Sequence, residues 1–220
     1  MITRIGFAPR RPGLTLDQAQ AHWGARHAEV MRPMPHLLRY WQNPVIVSDG
    51  QPLLPWVGFD CCSEFDFEDI VAHDQGFTSP EYLGPVRDDE LNLVDKAGGG
   101  GGGMITRKLV EEGEPDHLTC VRLHTFMRLG PTRTAAELGA ALMESRLQGG
   151  AQARTVYLAL TGPESAMRFS TFDALEIHWF PNEQAASRYV TTEEARQHRL
   201  ALSPLVRGTE RFISRVRVIV

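Results

Sequence analysis

The sequence predicts an α+β protein made of two successive βαββαβ units, each a four-stranded sheet with helices on one face. Three observations carry that reading. A capped amphipathic helix beginning at Thr15 is answered by a second beginning at Thr134. Short apolar runs rich in β-branched and aromatic residues flank each helix in the same order. Landmarks in the two halves also keep a nearly constant spacing, pairing Thr15 with Thr134, Tyr40 with Tyr157 and Phe59 with Leu175, as a tandem repeat does. One such sheet leaves a face uncovered, and two in one chain can bury those faces against each other. The expected division is residues 1–113 and 114–220.

The first strand is ITRIGFA, residues 2–8. Pro12-Gly13 turns the chain into a helix that Thr15 and Gln18 open as a capping box. At 100° per residue, Leu16, Ala19, Trp23, His27 and Val30 fall within roughly 80°, one buried stripe. Pro33 and Pro35 end it, because proline lacks the amide that would continue the helix. A second strand covers about residues 36–47 and a third residues 56–65, with Asn43-Pro44 and Asp49-Gly50 as breaks between them. Helical pieces near 67–73 and 80–93 lead to six glycines, 98–103, and a fourth strand over 104–112. A phosphate-cradling loop wants a strand before it and G-K-[ST] after it. Here a helix precedes and a strand follows, so the run reads as a flexible connection.

The pattern then restarts. Strand 117–128 precedes Gly130-Pro131, and Thr134 with Glu137 caps the helix that follows. Strands at 154–160 and 172–180, helical pieces at 182–189 and 192–202, and a last strand at 211–220 complete a second split βαβ, ferredoxin-like unit.

Composition narrows the partners. The chain is 42% hydrophobic and 23% charged with a net charge of −4, an ordinary globular balance with no basic surplus for nucleic acid or anionic membrane. No run approaches about 18 apolar residues, and the N-terminal stretch has no apolar core of a signal peptide. Cys61, Cys62 and Cys120 form no C-x-x-C. Reduced thiols in a cytoplasmic protein are expected.

His27 is the odd member of the first helix's apolar stripe. A histidine there can be a core residue bonded to a carbonyl, but Trp23 lies one turn before it, and Tyr40, Trp41 and Gln42 follow on the next strand. Aromatic walls with a few convergent polar groups describe a small-molecule pocket, and histidine is the usual acid/base near neutral pH. His27 is therefore the first candidate catalytic residue, with Trp23, Tyr40, Trp41 and Gln42 as substrate-binding candidates. Strand alternation puts Asp60, and Glu176 at the matching place, on the face assigned to the barrel interior. Asp60 is the second catalytic candidate, with a rim salt bridge to Arg122 or Arg4 as the alternative. Glu176 with His178 has a spacing compatible with metal ligation, but no third ligand is evident. His22 lies about 140° around an α-helix from His27, which separates the two. The second helix carries Leu142 and Arg146 where the first has Trp23 and His27, so one working site per chain is expected.

The stretch GLTLDQAQAHWGARHAEVMRPMPHLLRYWQN resembles the signature of the EthD family, small proteins of the dimeric α+β barrel superfamily. The shared pattern falls on Gly13, Leu14, Thr15, Trp23, His27, Pro35, Arg39, Tyr40, Gln42 and Asn43. DDELNLVD (Asp88 to Asp95) resembles the family's D-E-x-x-F-x-D helix end, with Leu93 replacing the aromatic. The resemblance implies two ferredoxin-like units closing one intramolecular α+β barrel, as a pseudo-dimeric monomer or a homodimer of it. It also implies kinship with polyketide cyclases, muconolactone-type isomerases and proteins encoded beside degradative oxygenases.

No nucleophile elbow, H-E-x-x-H or dinucleotide fingerprint is present. The expectation is a lyase or isomerase of a small cyclic or aromatic compound, using no cofactor, with His27 moving the proton and Tyr40 or Gln42 holding an oxyanion. A non-catalytic binding protein of a catabolic pathway is the alternative. A haem or metal protein with His27 or His178 as ligand is the third.

Overall fold

Alternation along β1 (Ile2–Ala8) sends Ile5 and Phe7 to one face and Arg4 and Gly6 to the other. The structure is a computed structural model that describes residues 1–97, 101–160 and 170–220. Thr15 caps α1 (Leu16–His22): its hydroxyl accepts from the Gln18 amide at 3.2 Å, and Gln18 Oε1 accepts from the Thr15 amide at 2.9 Å. The helix continues through a π-helical turn, Trp23–His27, into α2 (Ala28–Met31). β2 (Arg39–Gln42) is shorter than the sequence suggests: His36, at the start of the expected strand, sits at φ +63°, and Pro44, which has no amide to give, follows its end. The hairpin of β3 (Val47–Ser48) and β4 (Gln51–Pro52) turns on Asp49 and Gly50, both at positive φ as a type I′ turn needs.

β5 (Cys61–Phe67) starts five residues later than expected. After it come α3 (Ile70–Phe77), a second π-helical turn at Tyr82–Val86, and α4 (Arg87–Leu93). β6 (Gly102–Glu112) takes in part of the glycine run. Gly98 to Gly100 lie outside the described residues. A Cβ on Gly102 would fall 2.5 Å from the Phe7 ring and 2.6 Å from Thr171 Oγ1, so the strand can enter here only as glycine. The second run is β7 (Val121–Leu129), α5 (Ala135–Glu144), β8 (Ala153–Ala159), β9 (Ala174–Phe180), α6 (Glu183–Val190), α7 (Glu193–Leu202), β10 (Val206–Arg215) and β11 (Arg217–Val218).

The large sheet has the order β10-β7-β9-β8-β6-β1-β5-β2-β11, antiparallel throughout the described residues. Two long strands join the units. β6 pairs with β1 through residues 102–106 and with β8 through residues 106–112. β10 pairs with β7, and one residue later β11 pairs with β2 at the opposite end of the order. A bridge from Val45 to Ser214 and the Ile46 amide on Ile213 O (2.9 Å) run along the same seam. The final strand thus closes the sheet into a ring, which removes its open edges.

Inside the ring, Phe126 meets Phe7, Phe59, Phe172 and Phe212 at centroid separations of 4.8 to 6.1 Å. Truncating so buried a ring costs about 3–5 kcal/mol. A polar plug sits beside it. Arg122 of β7 donates to Glu64 of β5 at 2.5 Å and to Asn43 at 2.5 Å, which ties the two units together. Burial alone would raise the Glu64 carboxyl, but Arg122 and Arg39 outweigh it and hold it near about 2.

The interior face of β9 is Leu175, Ile177 and Trp179. Glu176 and His178 face the helices, the reverse of the sequence expectation. The alternation itself holds: on the helix side Arg154 and His198 pair with the buried Glu176, while the greasy set joins the apolar interior.

Candidate active site

The π-helical turn sets the site. In a turn with i→i+5 bonding, residues five apart come onto one face, and His22 and His27 are such a pair. Both reach the same carboxylate: His22 Nε2 lies 2.9 Å from Asp89 Oδ1, and His27 Nδ1 lies 2.9 Å from Asp89 Oδ2. The separation expected of an α-helix is thereby corrected. Two side chains from the closing seam brace the turn. Gln42 Nε2 donates to Trp23 O at 2.8 Å, and Arg217 Nη1 reaches Gln20 O at 3.3 Å and Gln42 Oε1 at 3.0 Å. Gly24 leaves room for that guanidinium, which a Cβ would approach to 2.0 Å.

Asp89 arrives from the other helical segment. Pro85 inside Tyr82–Val86 has no amide to give, and the chain widens there before α4 begins. Asp88, Asp89 and Glu90 follow in the first turn of α4, which continues the helix directly from the π turn. Burial would raise the Asp89 carboxyl, yet the hydrogen bonds from His27 and His22 hold it below the ordinary carboxylate range. An ionised Asp89 accepts the Nδ1 proton of His27 and leaves Nε2 as the basic nitrogen. Nε2 makes no hydrogen bond among the described residues.

His27 borders a cavity of about 290 Å³ between the first unit's helices and the outer face of its sheet. Trp23 and Met31 join it from the helix, Gly6, Ser63 and Phe65 from the sheet, and Tyr82, Glu90 and Lys96 from the segment before β6. Glu90 accepts from the Tyr82 hydroxyl at 3.1 Å and from Lys96 Nζ at 2.5 Å. Burial and the neighbouring Glu90 push the Tyr82 phenol up to about 12. Arg4 also borders the cavity, with its guanidinium 4.4 Å above the Phe77 ring. The site therefore offers one histidine base and, elsewhere on the cavity wall, a phenol, an ammonium and a guanidinium as donors.

Of the residues the sequence singled out, Trp23 and His27 meet at this cavity, and four lie elsewhere. Tyr40 and Gln42 are fully buried behind the helix. Gln42 donates to both the Tyr40 hydroxyl and Trp23 O at 2.8 Å, so the pair anchors the π turn and presents no oxyanion donor to the cavity. Trp41 packs in the barrel mouth against His117 and Trp179, beneath the Arg39 guanidinium at 4.0 Å. Asp60 accepts from Arg10 Nη1 at 2.5 Å and from Trp56 Nε1 at 3.1 Å, a clamp away from the His27 cavity. The carboxylate beside His27 is Asp89. Its sequence signal was the acidic DDEL run, which identified a helix end and gave no hint of its partner. Glu90 belongs to the same acidic run, and Ser63, Tyr82 and Lys96 carried no signal in the sequence. Among the described residues, no group of three or more His, Cys, Asp or Glu side chains is placed to hold a metal ion.

Comparison with known proteins agrees with this architecture. An anthrone oxidase-like protein superposes with a TM-score of 0.69 at 9% identity, over 99% of this chain and 93% of its own. A putative monooxygenase of Fusobacterium nucleatum gives 0.62 at 7% identity, over 99% and 93%. One of Lactobacillus acidophilus gives 0.55 at 11%, over 100% and 94%. At such identities the likeness is one of fold. No curated protein matches the sequence. The family model of the EthD domain matches residues 11–97, a span that holds both π-helical turns, His27 and Asp89. Over residues 11–97, this chain is similar to the EthD domain.

Proposed function

We propose that this chain is an enzyme of small-molecule proton chemistry in which His27 is the general base and Asp89 its positioning partner. The observation that carries the reading is one imidazole held at Nδ1 by a buried carboxylate, on a residue that borders a cavity of about 290 Å³. That volume lies at the low end of ligand pockets, about 300 Å³, and suits a single-ring compound. The substrate is a small cyclic or aromatic molecule with a proton made acidic by a neighbouring carbonyl. Nε2 removes that proton, and Asp89 stabilises the imidazolium that forms. Negative charge building on the carbonyl oxygen meets donors from Tyr82, Lys96 or Arg4. Return of the proton to another carbon gives isomerisation, and its delivery to a leaving hydroxyl gives dehydration. The division of labour follows the boundary near residue 113: residues 1–113 hold this site, and residues 114–220 complete the barrel.

The test is carbon-bound deuterium exchange in D₂O, followed by NMR over a panel of single-ring ketones and lactones. Wild-type protein is expected to exchange at least one of them. His27→Asn should lower that rate by roughly 10²–10⁴-fold, the usual weight of a general base, with an unchanged circular dichroism spectrum. Equal rates in both proteins would remove the proposal. Saturable ligand binding without exchange, indifferent to His27, would make the chain a carrier. Because proteins of this fold include putative monooxygenases, oxygen uptake during exchange is the readout for a substrate carbanion that passes to O₂.

A further inference from the structure

The second unit has a cavity of its own, between the outer face of β7 and β9 and helix α7, with β10 at its mouth. It measures about 220 Å³ and shares no lining residue with the His27 cavity. Leu123, Met127, Ala195 and Leu202 make apolar walls. On β9, Glu176 and His178 sit side by side, and their situations differ. Glu176 is saturated, accepting from Arg154 Nε at 2.7 Å and from His198 Nε2 at 2.7 Å. His198 is met at Nδ1 by Ser145 Oγ at 3.2 Å and Gln148 Nε2 at 3.4 Å. His178 is 1% exposed, and its buried Nε2 has no hydrogen-bond partner. Burial lowers its pKa despite the neighbouring Glu176, so the ring is neutral and carries one unused polar atom. A buried polar atom left unpaired is costly, and a bound hydroxyl would satisfy it.

The mouth has the opposite character. Arg199, Arg207 and Arg211 all line it, and none takes part in an ion pair among the described residues. Arg207 and Arg211 make no hydrogen bond there either, while Arg199 reaches only Val190 O at 3.4 Å. Burial and the facing Arg199 charge hold the half-buried Arg211 below its usual range. Arg199 and Arg211, close enough to repel and neither in an ion pair, make the mouth receptive to an anion.

We propose that this cavity binds a small carboxylic acid with an apolar ring and a hydroxyl at its far end. The carboxylate lies between Arg199 and Arg211, the ring between Leu123 and Leu202, and the hydroxyl on His178 Nε2. The probe is 4-hydroxybenzoate, titrated calorimetrically into the full chain at low ionic strength, with the neutral amide 4-hydroxybenzamide beside it. Wild-type protein should show one-site binding, weakened about tenfold or more for the amide and in Arg211→Gln. Thr209→Trp, which places an indole in the mouth, should abolish it, and His27→Asn should leave it unchanged. His178→Phe should bind 4-hydroxybenzoate no better than benzoate. Circular dichroism checks that each variant is folded. No saturable heat up to roughly 10 mM probe, a range that reaches millimolar affinity, overturns the site. So does binding that survives both Arg211→Gln and Thr209→Trp, and so does binding lost in His27→Asn, which belongs to the first cavity.

Discussion

Asp89 accepts from two histidines five residues apart, one on each carboxylate oxygen, and those donors keep it ionised inside the protein. Its amide analogue keeps the shape but cannot stabilise an imidazolium. Asp89→Asn is expected to lower the deuterium-exchange rate by roughly 10²–10⁴-fold. His22→Gln acts only through the other oxygen, so its effect should stay within about tenfold. Comparing the two variants with His27→Asn separates the base from the groups that hold it. At this scale the sequence disclosed His27 and Trp23, because both lie on one locally determined stripe. It did not disclose Asp89, which comes from another helix 62 residues away. No local pattern ties an acid to so distant a histidine.

The π-helical turn is what a 3.6-residue template misreads. The capping box at Thr15 and Gln18 was legible because its chemistry is complete within four residues. The widened turn eight residues later is held by Gln42 and Arg217, which are remote in sequence. Gly24→Ala tests that brace. The new methyl must displace the Arg217 guanidinium, and overpacking of this kind costs about 1–3 kcal/mol. A lowered urea midpoint with an unchanged m-value is the expected result, accompanied by slower exchange at the His27 site. Strand faces show the same limit. Alternation correctly paired Glu176 with His178 and Leu175 with Ile177, but period two does not say which set turns inward. The answer came from the neighbouring strands and helices.

Across the whole molecule, buried carboxylates link stability to pH. Glu64 and Glu176 both lie near about 2 in the folded chain, below the ordinary 4.5. Their stabilisation is therefore fully present above about pH 4.5 and drains away as pH falls toward 2. Buried His124 and His178, held below the ordinary 6.5, add a loss that begins as pH falls through 6.5, so urea midpoints should already slip between pH 7 and 5 and decline further below that. Glu64→Gln should flatten part of the decline. At neutral pH the same variant leaves Arg122 facing no charge, at a cost of about 3–5 kcal/mol. The mixed α+β element order was legible in the sequence, since helix caps and strand runs are set locally. The Arg122–Glu64 tie between the units was not, because its partners lie 58 residues apart on different strands.

Arg217 sits on the strand that completes the ring and also grips the turn carrying His22 and His27. The geometry of the proposed site is thus hostage to an event that cannot occur until residues 175 positions apart have met. During refolding, activity should return only with the slowest phase, after helix content has already recovered. A half-made molecule would hold its first pocket without the brace that aims the imidazole.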